Sequence, residues 1–170
     1  MNHLHTRDVF MRQKRQRGSS SSVRHSIMEE EYYSTIAALL LMDCVKQMKM
    51  FIQHGDTSTY THCLAVSYYS YRVCRHLPIH VDLISVTRGA LLHDLYLYDW
   101  HIPDKSHRLH GFYHPGIAWR NADLYFKLNE REEDIIKKHM WPLTLTRVPR
   151  YKEALIVCFV DKICSLCETL

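Results

Sequence analysis

Asp82-Leu83-Ile84-Ser85-Val86-Thr87-Arg88-Gly89-Ala90-Leu91-Leu92-His93-Asp94 decides how this chain folds. Asp82 is a favoured helix N-cap, and Leu83, Val86, Ala90, Leu91 and His93 recur at helical spacing. The apolar run continues up to His93-Asp94, so that pair sits at the inner, C-terminal end of a buried helix. A carboxylate placed there costs solvation unless a cation or hydrogen-bond partner offsets it.

Outward from this helix the same period continues. Glu30 to Gln53 carries Ile36, Leu39, Leu40, Val45 and Met48 at three- and four-residue steps, and Gly55-Asp56 ends it. Thr57 or Ser58 caps the next helix, expected to run to about His76, and Pro78 marks a break. Residues 95–110, with Pro103, read as a loop or lid. His114 to Phe126 is helical again. Asn129 caps Glu130 to Lys138, with acids in the first turn and lysines in the last, as the helix dipole favours. Pro142 and Pro149 bound a loop, and Tyr151 to Glu168 is the closing helix. Five Gly and five Pro in 170 residues disfavour a turn-rich β-sandwich. The expectation is an all-α domain of about six to seven helices.

The net charge of +4 is unevenly spread. Arg7, Arg12, Lys14, Arg15, Arg17 and Arg24 face Asp8 alone, so residues 1–27 carry +5 and the remainder −1. Basicity belongs to the tail, and nucleic acid is not an expected partner. That tail, with Ser19 to Ser22, reads as a disordered basic and Ser-rich segment, with Met28 as an alternative start. Residues 28–170 read as one domain. Cys44, Cys63, Cys74, Cys158, Cys164 and Cys167 lie in apolar, helix-like contexts, and no secretory h-region precedes them. Reduced thiols and a cytoplasmic location are expected. The lone Cys164-x-x-Cys167 pair reads as buried helix packing rather than a zinc or redox motif. The longest apolar run, Ile36 to Met42, is far below the ~18 residues of a membrane span, so no membrane partner is expected.

Thirteen histidines are the outlier of the composition and make a histidine-built site plausible. His62 lies early in a helix whose apolar face continues through Val66. Asp161, in Cys158-Phe159-Val160-Asp161-Lys162-Ile163, is a carboxylate inside an apolar helix. Each alone has an ordinary explanation: a hydrogen-bonded core histidine, or a carboxylate paired with Lys162 or Arg88. Adjacent helical residues point about 100° apart, which takes Lys162 off the Asp161 face. Joined to His93-Asp94, they are metal-ligand types on three helices. Imidazole and carboxylate are the usual ligands of a divalent ion that activates water.

In this order, His62, His93-Asp94 and Asp161 resemble the HD-domain superfamily of metal-dependent phosphohydrolases, over residues from about 57 to 168. The resemblance implies an HD-type helical bundle in which these four side chains bind one divalent metal. In two-metal members of the superfamily, further histidines stand at about the stations of His114 and His139. It therefore implies those two as ligands of a second ion, with Asp94 bridging. His110, one turn before His114, is the competing candidate, and helix capping is the competing role for His139. Leu95-Tyr96-Leu97-Tyr98-Asp99-Trp100-His101 follows the His-Asp pair where the cyclic-dinucleotide branch has Gly-Lys, so cyclic di-GMP cleavage is not expected. Asp99 is the nearest counterpart of the acidic residue used by the nucleoside-monophosphatase branch. The Leu-Tyr-Asp-Trp stretch and Asp161-Lys162 are most similar to a small group of uncharacterised bacterial HD hydrolases.

The activity so implied is hydrolysis of a phosphoester or phosphoanhydride in a nucleotide-like small molecule, by water whose pKa the metal lowers from ~15.7 toward neutrality. One or two ions of Mn, Fe, Co, Ni or Mg suit the ligand set. Besides Asp94, the catalytic candidates are Asp99, to orient water or protonate the leaving group, and Lys105 and Arg108, to bind phosphate. Arg88 and Lys162 are further candidate cations. Trp100, Tyr96, Tyr98, Phe112, Trp119 and Trp141 offer stacking faces for a base, although aromatics at helical spacing are usually core. Two other classes compete: a catalytically silent HD-fold module that binds metal and nucleotide, and a helical interaction protein whose histidines are satisfied within the core. The aromatic 95–113 stretch suits a lid or an oligomer contact.

Overall fold

A computed structural model describes residues 25–105 and 108–170. The expected disordered tail lies outside the described residues except for 25–27, which are helical. The chain divides into two units, Met1–Ser34 and Thr35–Leu170. In the first, the described residues 25–34 are helical; this helix, α1, continues to residue 40. The second contains α2 (Asp43–Gln47), a 3-10 turn (Met48–Met50), β1 (Ile52–His54), β2 (Thr57–Ser58), α3 (Thr59–His76), α4 (Leu83–Leu92), α5 (His110–Tyr125), α6 (Glu130–Lys138) and α7 (Lys152–Thr169). The fold is all-α, as expected, with seven helices and one small antiparallel sheet among the described residues.

The segment Glu30 to Gln53 is not the single helix its periodicity predicts. The chain turns at 41–42, re-enters a short α2 behind an extended Met42, and passes into the β1–β2 hairpin. The apolar steps end at Met48, and Gly55 supplies the left-handed turn residue at φ +52° that the reversal needs. A side chain at Gly55 would also stand 3.2 Å from the Glu168 carbonyl. Gln53 and His54 are thereby delivered by a strand.

Helix starts follow the local chemistry. Ser58 Oγ accepts the Thr61 N–H, and Asp82 accepts the Ile84 and Ser85 N–H groups. Asn129 and Glu132 form a reciprocal capping box on α6. Such caps contribute about 1 kcal/mol each. Helix α5 begins one turn earlier than expected, at His110, behind Leu109 in the left-handed region (φ +58°).

The core is built where α3, α4, α6 and α7 meet, through Val66, Val86, Ala90, Ile135, Ala154 and Val157. Fully burying each of the valine and isoleucine side chains contributes roughly 1.5–3 kcal/mol. Gly89 lets α4 approach α6: a Cβ there would lie 2.7 Å from Ile135 Cδ1. Arg88 Nε donates to Glu132 Oε1 at 2.5 Å across the same pair of helices. This close pairing brings the C-terminal ends of α4 and α6 together, with His93 and His139 ring centroids 4.8 Å apart. Five of the six cysteines are buried and free; Cys167, expected buried, is exposed near the end of α7. No described helix is long and apolar enough to cross a membrane.

Candidate metal centre

All six expected ligands converge, and all are buried: His62 and His93 at 0% exposure, His139 at 1%, Asp94 at 2%, His114 at 3% and Asp161 at 6%. His62 comes from the second turn of α3. His93 caps the C-terminus of α4, and Asp94 follows it. His114 lies on α5, His139 caps α6, and Asp161 projects from the middle of α7. His110 stacks on His114 (4.4 Å, 16°) and accepts or donates at Nδ1 with the Tyr98 hydroxyl (2.8 Å), outside the converging set. His114 is therefore the member of the pair that joins the cluster.

His93 Nδ1 donates to the Ala90 carbonyl (2.7 Å), His114 Nδ1 to the His110 carbonyl (2.8 Å) and His139 Nδ1 to the Ile136 carbonyl (2.9 Å). His62 Nδ1 faces Glu168 Oε2 at 2.8 Å. Every Nδ1 is thus matched to an acceptor, which leaves each neutral ring with a lone pair on Nε2. Those lone pairs meet other acceptors. His62 Nε2 is 3.1 Å from Asp161 Oδ1, and His93 Nε2 is 3.6 Å from that same oxygen and 3.4 Å from Asp94 Oδ2. His114 Nε2 and His139 Nε2 are 2.8 Å apart, and they lie 3.1 and 3.4 Å from Asp94 Oδ1. Two of these approaches are hydrogen bonds that each need a proton on a ring nitrogen, His62 Nε2 with Asp161 Oδ1 and His114 Nε2 with His139 Nε2, whereas His93 Nε2 and Asp94 Oδ1 are buried with no hydrogen-bond partner.

Two triads of ligand atoms result, His62–His93–Asp161 and Asp94–His114–His139. Two cis ligands at ~2.1 Å from one ion lie about 3 Å apart, so this spacing fits direct coordination. A third grouping, Cys63–His93–Asp94, would use Cys63 Sγ, which lies 3.7 Å from His93 Nδ1. That nitrogen already serves the Ala90 carbonyl.

The charges are strongly coupled. Burial disfavours the His62 imidazolium, yet its bonds to Asp161 and Glu168 outweigh that and push its pKa up to about 10. His93 is held well above the ordinary histidine value, against its burial, chiefly by Asp94. Against their own burial, Asp94 is held far below the usual carboxylate range by His93 and His114, and Asp161 by His62 and His93. His139 goes the other way: burial lowers its pKa. Protons can therefore balance the first triad without a metal, whereas the second pairs two imidazole nitrogens with one carboxylate oxygen.

The cluster opens on a cavity of about 930 Å³. Asp94, His114, His139 and Asp161 form its floor, Lys105, Arg108 and Lys162 add positive charge, and Trp100, Ile102, Phe112 and Leu143 add apolar wall. Lys162 Nζ is anchored on the His139 carbonyl (2.8 Å) and reaches only to 4.0 Å from Asp161 Oδ2. Other expected participants lie elsewhere. Arg88 is committed to Glu132, and Trp119 is covered by Lys137 at 3.6 Å from its ring centroid. Asp99 does not line the cavity; its Oδ1 accepts the His101 N–H (2.9 Å) and pairs with the His101 ring. Within a loop, no helical period fixes which way a carboxylate turns.

Two contributors were absent from the sequence-based set. Gln53 Nε2 donates to Asp94 Oδ2 at 2.6 Å. Its Oε1 accepts from the Tyr96 and Thr59 hydroxyls, so the amide cannot turn. Glu168 fixes the His62 tautomer. His54, beside His62 (ring centroids 5.8 Å apart), also lines the cavity. No protein-family model, curated protein or solved structure matches this chain.

Proposed function

We propose that the chain is an HD-type metal-dependent phosphohydrolase. In this reading it cleaves a phosphoester or phosphoanhydride of a nucleotide-like small molecule. One observation carries the proposal: four imidazole Nε2 atoms and two carboxylates are turned on one another in a buried cluster, where an inward cation resolves the excess of acceptors. His62, His93 and Asp161 would hold one ion and His114 with His139 a second, with Asp94 presenting one oxygen toward each group. When bound, such ions supply Lewis acidity, lowering the pKa of water and neutralising phosphoryl charge.

The chain's own residues have separable tasks. The carbonyls of Ala90, His110 and Ile136, and the Glu168 carboxylate, fix each imidazole with Nε2 inward. Gln53 fixes the Asp94 carboxylate by donating to Oδ2. Lys105, Arg108 and Lys162 supply counter-charge where phosphoryl oxygens enter the cavity. Its apolar wall, from Trp100 to Leu143, excludes water and takes the uncharged part of the substrate.

Phosphate release from a panel of nucleotides and simple phosphoesters, with Mn added, tests this reading. Metal-dependent release that falls on the order of 10³-fold in Asp94→Ala is the expected result, since several kcal/mol of charge stabilisation leave with the ions. Release that survives Asp94→Ala rejects this site. Bound metal with no release from any substrate favours the silent HD-fold module instead.

A further inference from the structure

Helix α5 carries His114 and α6 ends at its cap His139, and these two helices, with Arg147 from the loop after α6, line a second concavity of about 580 Å³. It shares no lining residue with the metal cavity. Its titratable lining besides Tyr113 is wholly basic: Arg120, Lys137, Lys138 and Arg147. The two lysines are matched one turn back, Lys137 by Glu133 (2.5 Å) and Lys138 by Asp134 (2.6 Å). The two arginines are exposed, and neither has an ion-pair partner among the described residues. The same lining includes Trp119, whose Nε1 is buried and has no acceptor among the described residues.

A buried N–H left unpaired costs free energy that a ligand oxygen would recover. Lys137 already covers the Trp119 ring, at 3.6 Å from its centroid, so a base-stacking ligand would have to displace a cation. What this pocket lacks is acceptors. Guanidinium groups match phosphoryl oxygens as paired donors, and two of them lining one concavity with an indole N–H suit an oxyanion. The volume leaves room for more than inorganic phosphate, in the range of small-ligand pockets.

We propose that the α5–α6 pocket binds the phosphoryl group of a small soluble molecule through Arg120, Arg147 and the Trp119 indole N–H. This does not depend on hydrolysis at the metal centre. It does place the ligand next to that centre: Lys138 immediately precedes His139, and Gly116 follows His114 by two residues. A ligand bridging α5 and α6 here acts on the two helices that set the His114–His139 separation.

The Trp119 indole N–H resonance of the ¹⁵N-labelled full chain, identified by its absence in Trp119→Phe, reads this pocket directly. Inorganic phosphate and AMP are titrated separately. A saturable shift with a midpoint below ~1 mM is expected for at least one of them. Arg120→Ala with Arg147→Ala should raise that midpoint at least tenfold, while Lys105→Ala with Arg108→Ala, in the metal cavity, should change it less than twofold. A Trp119 signal that neither probe moves overturns the proposal. So does a midpoint that follows the Lys105 and Arg108 changes instead. A third arm adds phosphatidylglycerol vesicles: a response to these alone would assign the pocket to a lipid headgroup and overturn the soluble ligand.

Discussion

The two halves of the candidate metal centre differ in what balances them. The His62–His93–Asp161 half has carboxylates on both sides of the His62 imidazole, Asp161 at Nε2 and Glu168 at Nδ1. The His114–His139 half has two Nε2 atoms 2.8 Å apart and a single Asp94 oxygen. The first can hold protons as an ion-paired network; in the second, burial lowers the His139 pKa and the nitrogens face each other. A buried cluster rich in histidine is thus two chemical problems. Protons can solve one of them, and only a cation inserted between the rings, or a shared proton, can solve the other.

Asp94→Ala is the substitution with the largest expected effect, because Asp94 touches both halves. Metal content should fall from two ions to none, and activity on the order of 10³-fold, measured by elemental analysis alongside phosphate release. His139→Ala should separate the halves: one ion is lost and one retained. Loss of both ions there would show that the first half cannot stand alone. Glu168→Gln keeps a hydrogen-bond acceptor for His62 Nδ1 but removes its charge. It should weaken metal binding about 10–100-fold at the first half only, read by competition with a chromophoric chelator. Equal weakening in both halves would remove the distinction drawn between them.

The smallest effect concerns pH. His62 in the metal-free protein has a pKa of about 10, above the ordinary value of 6.5. Its contribution to the stability of that form is therefore complete below about 6.5 and is lost as pH rises through about 10. Metal must displace this proton to reach Nε2. Binding at neutral pH should release protons and tighten as pH rises toward 10. Calorimetry in two buffers of different ionisation enthalpy checks the sign, and identical heats in both would contradict it.

Much of this arrangement could be read from the sequence for a specific reason. His and Asp are costly at buried helical positions, so His62, His93-Asp94 and Asp161 stand out against apolar neighbours. The caps at Ser58, Asp82 and Asn129 have equally local chemistry. Other features lacked such a signal. Gln53 is not a metal-ligand type, and a three-residue strand is too short to show a period. Glu168, two residues from Leu170, reads as a solvated charge until α7 brings it under His62. Asp99 rests on its likeness to the acidic residue of the nucleoside-monophosphatase branch, and in a loop spacing does not determine the direction of a side chain. The early start of α5 was hidden because His110-Gly111 lacks an N-cap side chain, and Leu109 takes that place with a left-handed backbone.

The most direct test is elemental analysis of the full chain purified without chelator. Two equivalents of transition metal per chain, falling to one in His139→Ala, is the expected outcome. A well-folded chain that carries no metal, and takes up none from Mn, Fe, Co or Ni, would mean that protons alone hold the cluster together.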